Sequence, residues 1–176
     1  MSSEHNVQSE QYLTFNLQKE LYGLDIDSVR EVLEVTQITK VPQTQEYMRG
    51  VINVRGHAVP VVDLRLKFGL EQGEMTVDTC IIIVEVRIDG ESIILGLLVD
   101  GVEEVLELGQ DNIEPPPRFG TRINSRFMKG IGKLEEKFII ILDIQEVFSE
   151  DELSDIAGSQ SEYHKEQMPE AEMENA

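Results

Sequence analysis

Few side chains in this sequence are of the types that carry out reactions, and their spacing limits what those reactions could be. The chain of 176 residues has three His, one Cys and no Trp. His57 stands in the run Arg55-Gly56-His57, where an imidazole could serve as a general base. No Ser, Cys or second titrating partner is near it in sequence, and an exposed turn histidine is the simpler reading. His5 and His164 fall in the polar ends. Cys80 opens the run Cys80-Ile81-Ile82-Ile83, in which a thiol acts as a small hydrophobe. A single cysteine also excludes an internal disulfide framework. Asp25-Ile26-Asp27 supplies the first two carboxylates of a calcium loop, but the fifth position is Val29 and no glycine stands at the sixth, so solvation or capping accounts for the pair. Gly130-Ile131-Gly132-Lys133 lacks the earlier glycine that a phosphate-cradling loop requires. No Cys pair, His-Glu-x-x-His or Gly-x-Ser-x-Gly occurs. The expectation is a binding protein, not an enzyme, with no catalytic residue, no metal ligands and no cofactor.

Charge narrows the partners. Asp and Glu number 34 against 15 Lys and Arg, a net charge of -19. That field has the wrong sign for phosphate, which argues against nucleic acid and anionic lipid. The most apolar run, Ile93 to Val99, is far shorter than the ~20 residues that span a bilayer. The polar start from Met1 to Glu10 has no secretory pattern, so a cytoplasmic protein without direct membrane insertion is expected. One stretch breaks the acidic trend: Arg118, Arg122, Arg126, Lys129 and Lys133 lie between Pro115 and Leu134 with no acid among them. They could receive an acidic partner, or simply offset neighbouring carboxylates.

The elements that must position any binding surface emerge from an internal repeat. Gly23 to Val35 aligns without a gap on Gly96 to Leu108, with eight of thirteen positions identical. Pro42 and Pro115 keep that offset. Met48-Arg49-Gly50-Val51 then matches Met128-Lys129-Gly130-Ile131, and Val61-Val62-Asp63-Leu64 matches Ile141-Leu142-Asp143-Ile144. Each copy reads as about five short strands. Tyr12 to Leu17 and Leu21 to Ile26 form a hairpin, matched by Cys80 to Ile88 and Ser92 to Val99 across Asp89-Gly90. Val51 to Arg55 and Ala58 to Leu64 form another, and Pro60 predicts a sheet edge or bulge. The segment Val-x-Glu-Val-Leu after the shared Asp fits either a helical turn or a strand. The fold class is mainly β: two tandem five-stranded small barrels from an internal duplication, with short helices and an acidic C-terminal tail. The first barrel is expected over about 11–72 and the second over about 78–148, within a domain of 11–149. Residues 1–10 are expected to be disordered. Ser149-Glu150-Asp151-Glu152 is a capping box that predicts a short helix over 150–158, stopped by Gly158, with a disordered tail over 159–176.

The stretch Arg49-Gly50-Val51-Ile52-Asn53-Val54-Arg55-Gly56-His57-Ala58-Val59-Pro60-Val61-Val62-Asp63-Leu64-Arg65 resembles the signature of the CheW family of bacterial chemotaxis coupling proteins. Tyr22-Gly23-x-Asp25-Ile26-x-x-Val29-x-Glu31-Val32, Gly96-x-x-Val99-Asp100-Gly101-Val102 and Ile113-x-Pro115 follow in the family's order, so the likeness extends from about Gln11 to Phe148. It implies two SH3-like or OB-like barrels, with strand exchange possible between the halves. It also implies a scaffold that joins the cytoplasmic tip of methyl-accepting chemoreceptors to the regulatory domain of the histidine kinase CheA, recruited to membrane-associated receptor arrays. Receptor contacts would fall at Val29, Glu31, Arg55, Cys80, Ile81 and Val105, and kinase contacts at Val29, Val32 and Gly50. Similar adaptors serve pathways of surface motility or gene regulation, and a small-ligand-binding β-barrel is the alternative from another class.

Overall fold

The computed structural model describes residues 9–42, 44–116 and 125–167. Its strands are β1 (Ser9–Leu17), β2 (Glu20–Asp25), β3 (Val29–Glu34), β4 (Met48–Val54), β5 (His57–Asp63), β6 (Cys80–Ile88), β7 (Glu91–Val99), β8 (Gly101–Gly109), β9 (Ile113–Glu114), β10 (Met128–Leu134) and β11 (Lys137–Leu142). Three helices join them: α1 (Leu64–Lys67) after β5, α2 (Ile144–Val147) after β11, and the terminal α3 (Glu150–Gln167). Val-x-Glu-Val-Leu is strand in both copies, as β3 and β8.

The strands make two curled, barrel-like sheets, ordered β8-β1-β2-β11-β10-β9 and β3-β6-β7-β5-β4. By the repeat, β1 to β5 correspond to β6, β7, β8, β10 and β11. Each sheet therefore holds the hairpin of one copy and the remaining strands of the other, so residues of 11–72 and 78–148 are mixed in both barrels. The connections account for this exchange. A third strand placed beside the first strand of its own hairpin would lie two strand spacings, about 10 Å, from the second. Only Asp100 separates β7 from β8, and the two steps from Val99 to Gly101 reach about 7 Å at most. Strand β8 pairs instead with β1, and β3 with β6. The exchanged hairpins are seated by matching parallel pairings, β2 on β11 through Ile141↔Gly23 and β7 on β5 through Val61↔Gly96.

Burial follows from this arrangement. Ile81, Ile83, Ile52, Val59, Val61 and Leu98 fill the five-stranded barrel, and Tyr12, Leu108, Ile139 and Ile141 fill the six-stranded one. A larger core lies between the barrels and takes Phe15, Leu17, Ile82, Val84, Leu95 and Leu97. Strand β6 thus buries both faces, which is why its sequence is continuously apolar and does not alternate.

Tight turns occur where the sequence placed them, with positive φ at Gln18-Lys19, Asp89-Gly90 and Arg55-Gly56. Pro60 differs from expectation, because β5 has neighbours on both sides. It is tolerated because Val51, opposite it, uses its own amide and carbonyl on Thr39, at 2.8 Å each, and the β5–β7 pairing begins only at Val61. The cap of α3 has the expected reciprocal bonds, Ser149 N–H to Glu152 Oε1 at 2.8 Å and Glu152 N–H to Ser149 Oγ at 3.1 Å. The helix passes Gly158, however, and ends at Gln167 rather than at 158. A glycine inside a helix costs only about 1 kcal/mol, and here it has no side-chain neighbours to displace. Leu153 and Ile156 tie α3 to the shared core. Residues 1–8 and 168–176 of the expected disordered ends lie outside the described residues.

Candidate functional site: two outer strands and a hairpin tip

Strand β3 lies at the outside of the five-stranded barrel, paired only with β6. A bulge between Val29 and Glu31 absorbs Arg30 and leaves Val29 and Val32 opposite Val84 and Ile82, on the side of the shared core. Glu31 and Leu33 take the other side, opposite Ile83 and Ile81. The β4–β5 tip approaches the same strand. Arg55 sits there with φ 51° and Gly56 with φ 85°, and Asn53 Oδ1 accepts the Gly56 amide at 2.7 Å. This rigid turn presents the Arg55 guanidinium to Glu31 as a two-point ion pair, at 2.7 and 2.8 Å. The Arg55 hydrogen bonds hold the Glu31 carboxyl below its usual range. Arg30 pairs with Glu85 at 2.7 Å on the same barrel. Between these pairs lies a groove of about 560 Å³, lined by Val54, Val59, Ile83 and Ile94, with His57 and Ser92 at its rim. Arg55 remains 72% exposed at its side chain, so its charge can reach a partner. An apolar floor between charged pairs suits the docking of side chains.

The outer strand of the other barrel, β8, carries the repeat-matched residues. Val105 lies opposite Leu13 and is 47% exposed, as Val32 is 41% exposed on β3. Cys80 is half-buried at the start of β6, opposite Val99 and Glu34. Burial pushes its thiol pKa up, while a hydrogen bond from the Val102 backbone opposes that shift.

The residues implied by the resemblance thus separate into three settings. Glu31 and Arg55 form the clamp beside the groove. Val29, Val32 and Val105 follow the faces that border the shared core, with Cys80 near them. Ile81 and Gly50 are interior: Ile81 is fully buried in the barrel, and Gly50 has φ 136° with its Cα packed on the Thr39 carbonyl. Neither presents a side chain to solvent. Arg30 and Glu85 had no signal in the sequence, because Glu85 joins β3 only through the exchanged hairpin. In the basic stretch, Arg126 pairs with Glu146, Lys129 with Glu10 and Lys133 with Glu114. These three charges offset carboxylates of the same chain; Arg118 and Arg122 lie outside the described residues. Among the described residues no group of three His, Cys, Asp or Glu could hold a metal ion. No described helix is long and apolar enough to cross a membrane.

Comparison with known proteins agrees with the fold. The family model described as a CheW-like domain matches residues 11–152. The chemotaxis protein CheW of Klebsiella aerogenes is 34% identical over 145 residues, covering 82% of this chain and 85% of the relative. The protein of the same name from Treponema pallidum is 29% identical over 152 residues, covering 86% and 89%. Among solved structures, the scaffolding protein TtCheW from Thermoanaerobacter tengcongensis superimposes with a TM-score of 0.72 at 41% identity, covering 82% of this chain and 96% of that one.

Proposed function

The chain belongs to the CheW-like domain family, and we propose that it acts as a non-enzymatic scaffold that couples methyl-accepting chemoreceptors to the CheA histidine kinase in chemotaxis. The observation that carries this reading is the pair of exposed, repeat-matched valines on outer strands, Val32 and Val105, together with the Glu31–Arg55 clamp beside an apolar groove. The receptor tip would contact Val29, Glu31, Arg55, Cys80 and Val105. Ile81 would support that surface from inside the barrel. The regulatory domain of the kinase would contact Val29 and Val32, with Gly50 fixing the strand behind them. The protein would work in the cytoplasm at membrane-associated receptor arrays, with no cofactor. The test mixes the purified chain with the kinase and a receptor signalling-tip fragment from the same genome. Co-sedimentation of all three with raised autophosphorylation is expected. A folded chain that binds neither component overturns the proposal.

A further inference from the structure

The two exchanged hairpins are fastened at their tips in unequal ways. Helices α1 and α2 occupy matching places after β5 and β11, each capped by an Asp, Asp63 or Asp143, that accepts the amide two residues on. That second residue is Arg65 in one copy and Gln145 in the other. Gln145 bonds the exchanged β6–β7 hairpin directly: its Oε1 accepts the Arg87 amide at 2.8 Å and its Nε2 donates to the Arg87 carbonyl at 3.0 Å. Arg65 reaches the β1–β2 hairpin through an intermediary. Its guanidinium pairs with Asp100, whose other carboxylate oxygen accepts the Gln18 amide at 2.7 Å, while the Asp100 amide donates to the Asn16 carbonyl at 3.0 Å.

Asp100 is also the single residue between β7 and β8. Strand β8 then carries Val102, whose backbone meets the Cys80 thiol, and the exposed Val105. The Arg65–Asp100 pair is enclosed, with side chains 17% and 23% exposed. The loop after α1 closes over it: the Gln18 side chain donates to the Glu71 carbonyl at 3.4 Å, and a Cβ at Gly73 would fall on the Arg65 guanidinium. Among the described residues the corresponding turn before β3 shows no such tie to α2: Asp27, the repeat match of Asp100, donates its amide to Asp25 Oδ1, and Asp25 in turn pairs with Lys129 of β10 at 3.9 Å.

We propose that Arg65 is a positioning residue for the receptor-binding surface, acting through Asp100 to hold β8 and its Val105 in place against the five-stranded barrel. It contacts no partner itself. The inference rests on the proposed receptor surface for its functional consequence, but its structural half can be read without any partner. Cys80 is the sole thiol of the chain and lies where β8 leaves the other barrel, so its rate of reaction with a disulfide reagent reports how closely β8 sits. Loosening the pair gives the thiol more access and also weakens receptor binding.

The test compares Arg65→Gln, Asp100→Asn, the double variant and Gln145→Ala, all in the full chain. Circular dichroism establishes that each is folded. Both single variants should speed Cys80 modification several-fold, and the double variant should do no more than either, as expected for residues acting as one unit. Receptor-fragment affinity should fall about tenfold while kinase affinity holds, since a lost buried pair is felt where the strand it fixes is used. Arg65→Lys should restore part of both effects, and Gln145→Ala should leave Cys80 unchanged. Faster Cys80 modification with unchanged receptor affinity would overturn the positioning role. Unchanged modification rates in both single variants would overturn the structural half. Equal losses toward receptor and kinase would mark the pair as general support for the fold. Failure of the unaltered chain to bind the fragment would count against the proposed function, and the Cys80 rates would still decide whether the pair fixes β8.

Discussion

The two barrels are built from one repeated plan and differ most where their outer strands are held. In the five-stranded barrel, β3 is tied by side chains that reach across the surface: Glu31 to the Arg55 tip and Arg30 to Glu85. In the six-stranded barrel, β8 also has surface side-chain ties, Asn16 to Glu103 and Ser9 to Glu107, but has no arginine clamp at its tip and adds a bond at the backbone. The buried Thr14 hydroxyl donates to the Glu104 carbonyl at 2.7 Å and accepts the Glu104 amide at 3.1 Å, at the bulge that matches Arg30. The repeat places Glu135 where Arg55 stands and Ile83 where Thr14 stands. Residues that fix the backbone are alike in both copies, such as Gly50 with Gly130 and Asp63 with Asp143. Residues that decide how an edge meets solvent or a partner have diverged. Duplication supplied the frame, and the difference at the edges gives the molecule two non-equivalent surfaces.

The largest expected effect tests the part held in common. Gly50 has φ 136° and a Cβ there would overlap the Thr39 carbonyl, so Gly50→Ala should cost about 3–5 kcal/mol. At Gly130 the added carbon would lie 2.7 Å from the Glu114 carbonyl, with no left-handed backbone to strain, and Gly130→Ala should cost about 1–3 kcal/mol. Thermal melts of both variants check the order. A reversed order would mean that the positive φ and the close Thr39 carbonyl at Gly50 do not set the larger constraint.

A smaller effect belongs to the six-stranded barrel alone. Thr14→Val keeps the shape and leaves the Glu104 amide and carbonyl at the bulge without their partner, at a cost of about 1–3 kcal/mol. Amide exchange should rise along β8 and not along β3. Uniform loosening of both strands would show that the edges are not independently held.

Asp63 separates the two copies by pH. It is buried, 4% exposed, whereas its counterpart Asp143 is half-buried. Burial raises the Asp63 pKa above the ordinary carboxylate value, against the pull of Arg49 and of the amides at the start of α1. A carboxyl whose folded pKa is raised favours the folded state most when protonated, so this contribution is present at low pH and is lost as pH rises through the folded pKa. Asp63→Asn keeps an acceptor for the cap and removes the buried charge. The variant should melt higher than the parent near neutral pH, and the gap should close as pH falls through the carboxylate range. A gap that widens on acidification would mean that the Arg49 pairing outweighs burial.

The repeat, the strand content, the capping box and the Asp89-Gly90 turn were legible because each is local, or is a pattern compared with itself. The exchange of hairpins was harder to read. Two copies with similar strands can pair within or across themselves with much the same apolar pattern, and what decides between the two is the single residue Asp100 between β7 and β8. That signal is visible only once both strands have been bounded. The binding surface was reached through family likeness. Alternation could not have shown that Val32 and Val105 are exposed while Val29 is half-buried, because an outer strand beside a shared core has two partly covered faces. Gly50 and Ile81 entered as contact residues through the same likeness, and their burial gives them a different physical task.

The smallest effect on stability is expected at the clamp, where it bears most on function. Arg55→Ala removes an exposed charge and should leave the melting temperature unchanged, while binding to the receptor fragment falls. The sharper experiment transfers the clamp. Glu135 already has φ 57°, close to the 51° of Arg55, so Glu135→Arg places a guanidinium on the matching tip without new backbone strain. The repeat then puts it opposite Glu104 as Arg55 is opposite Glu31. Slower amide exchange along β8, abolished by adding Glu104→Gln, would show that the tip residue alone distinguishes the two edges. No added protection would assign the difference to the rest of the turn, where Glu136 stands in place of Gly56 and the Asn53 side chain has no counterpart. In that case the first copy's clamp depends on the turn that aims the arginine as much as on the arginine itself.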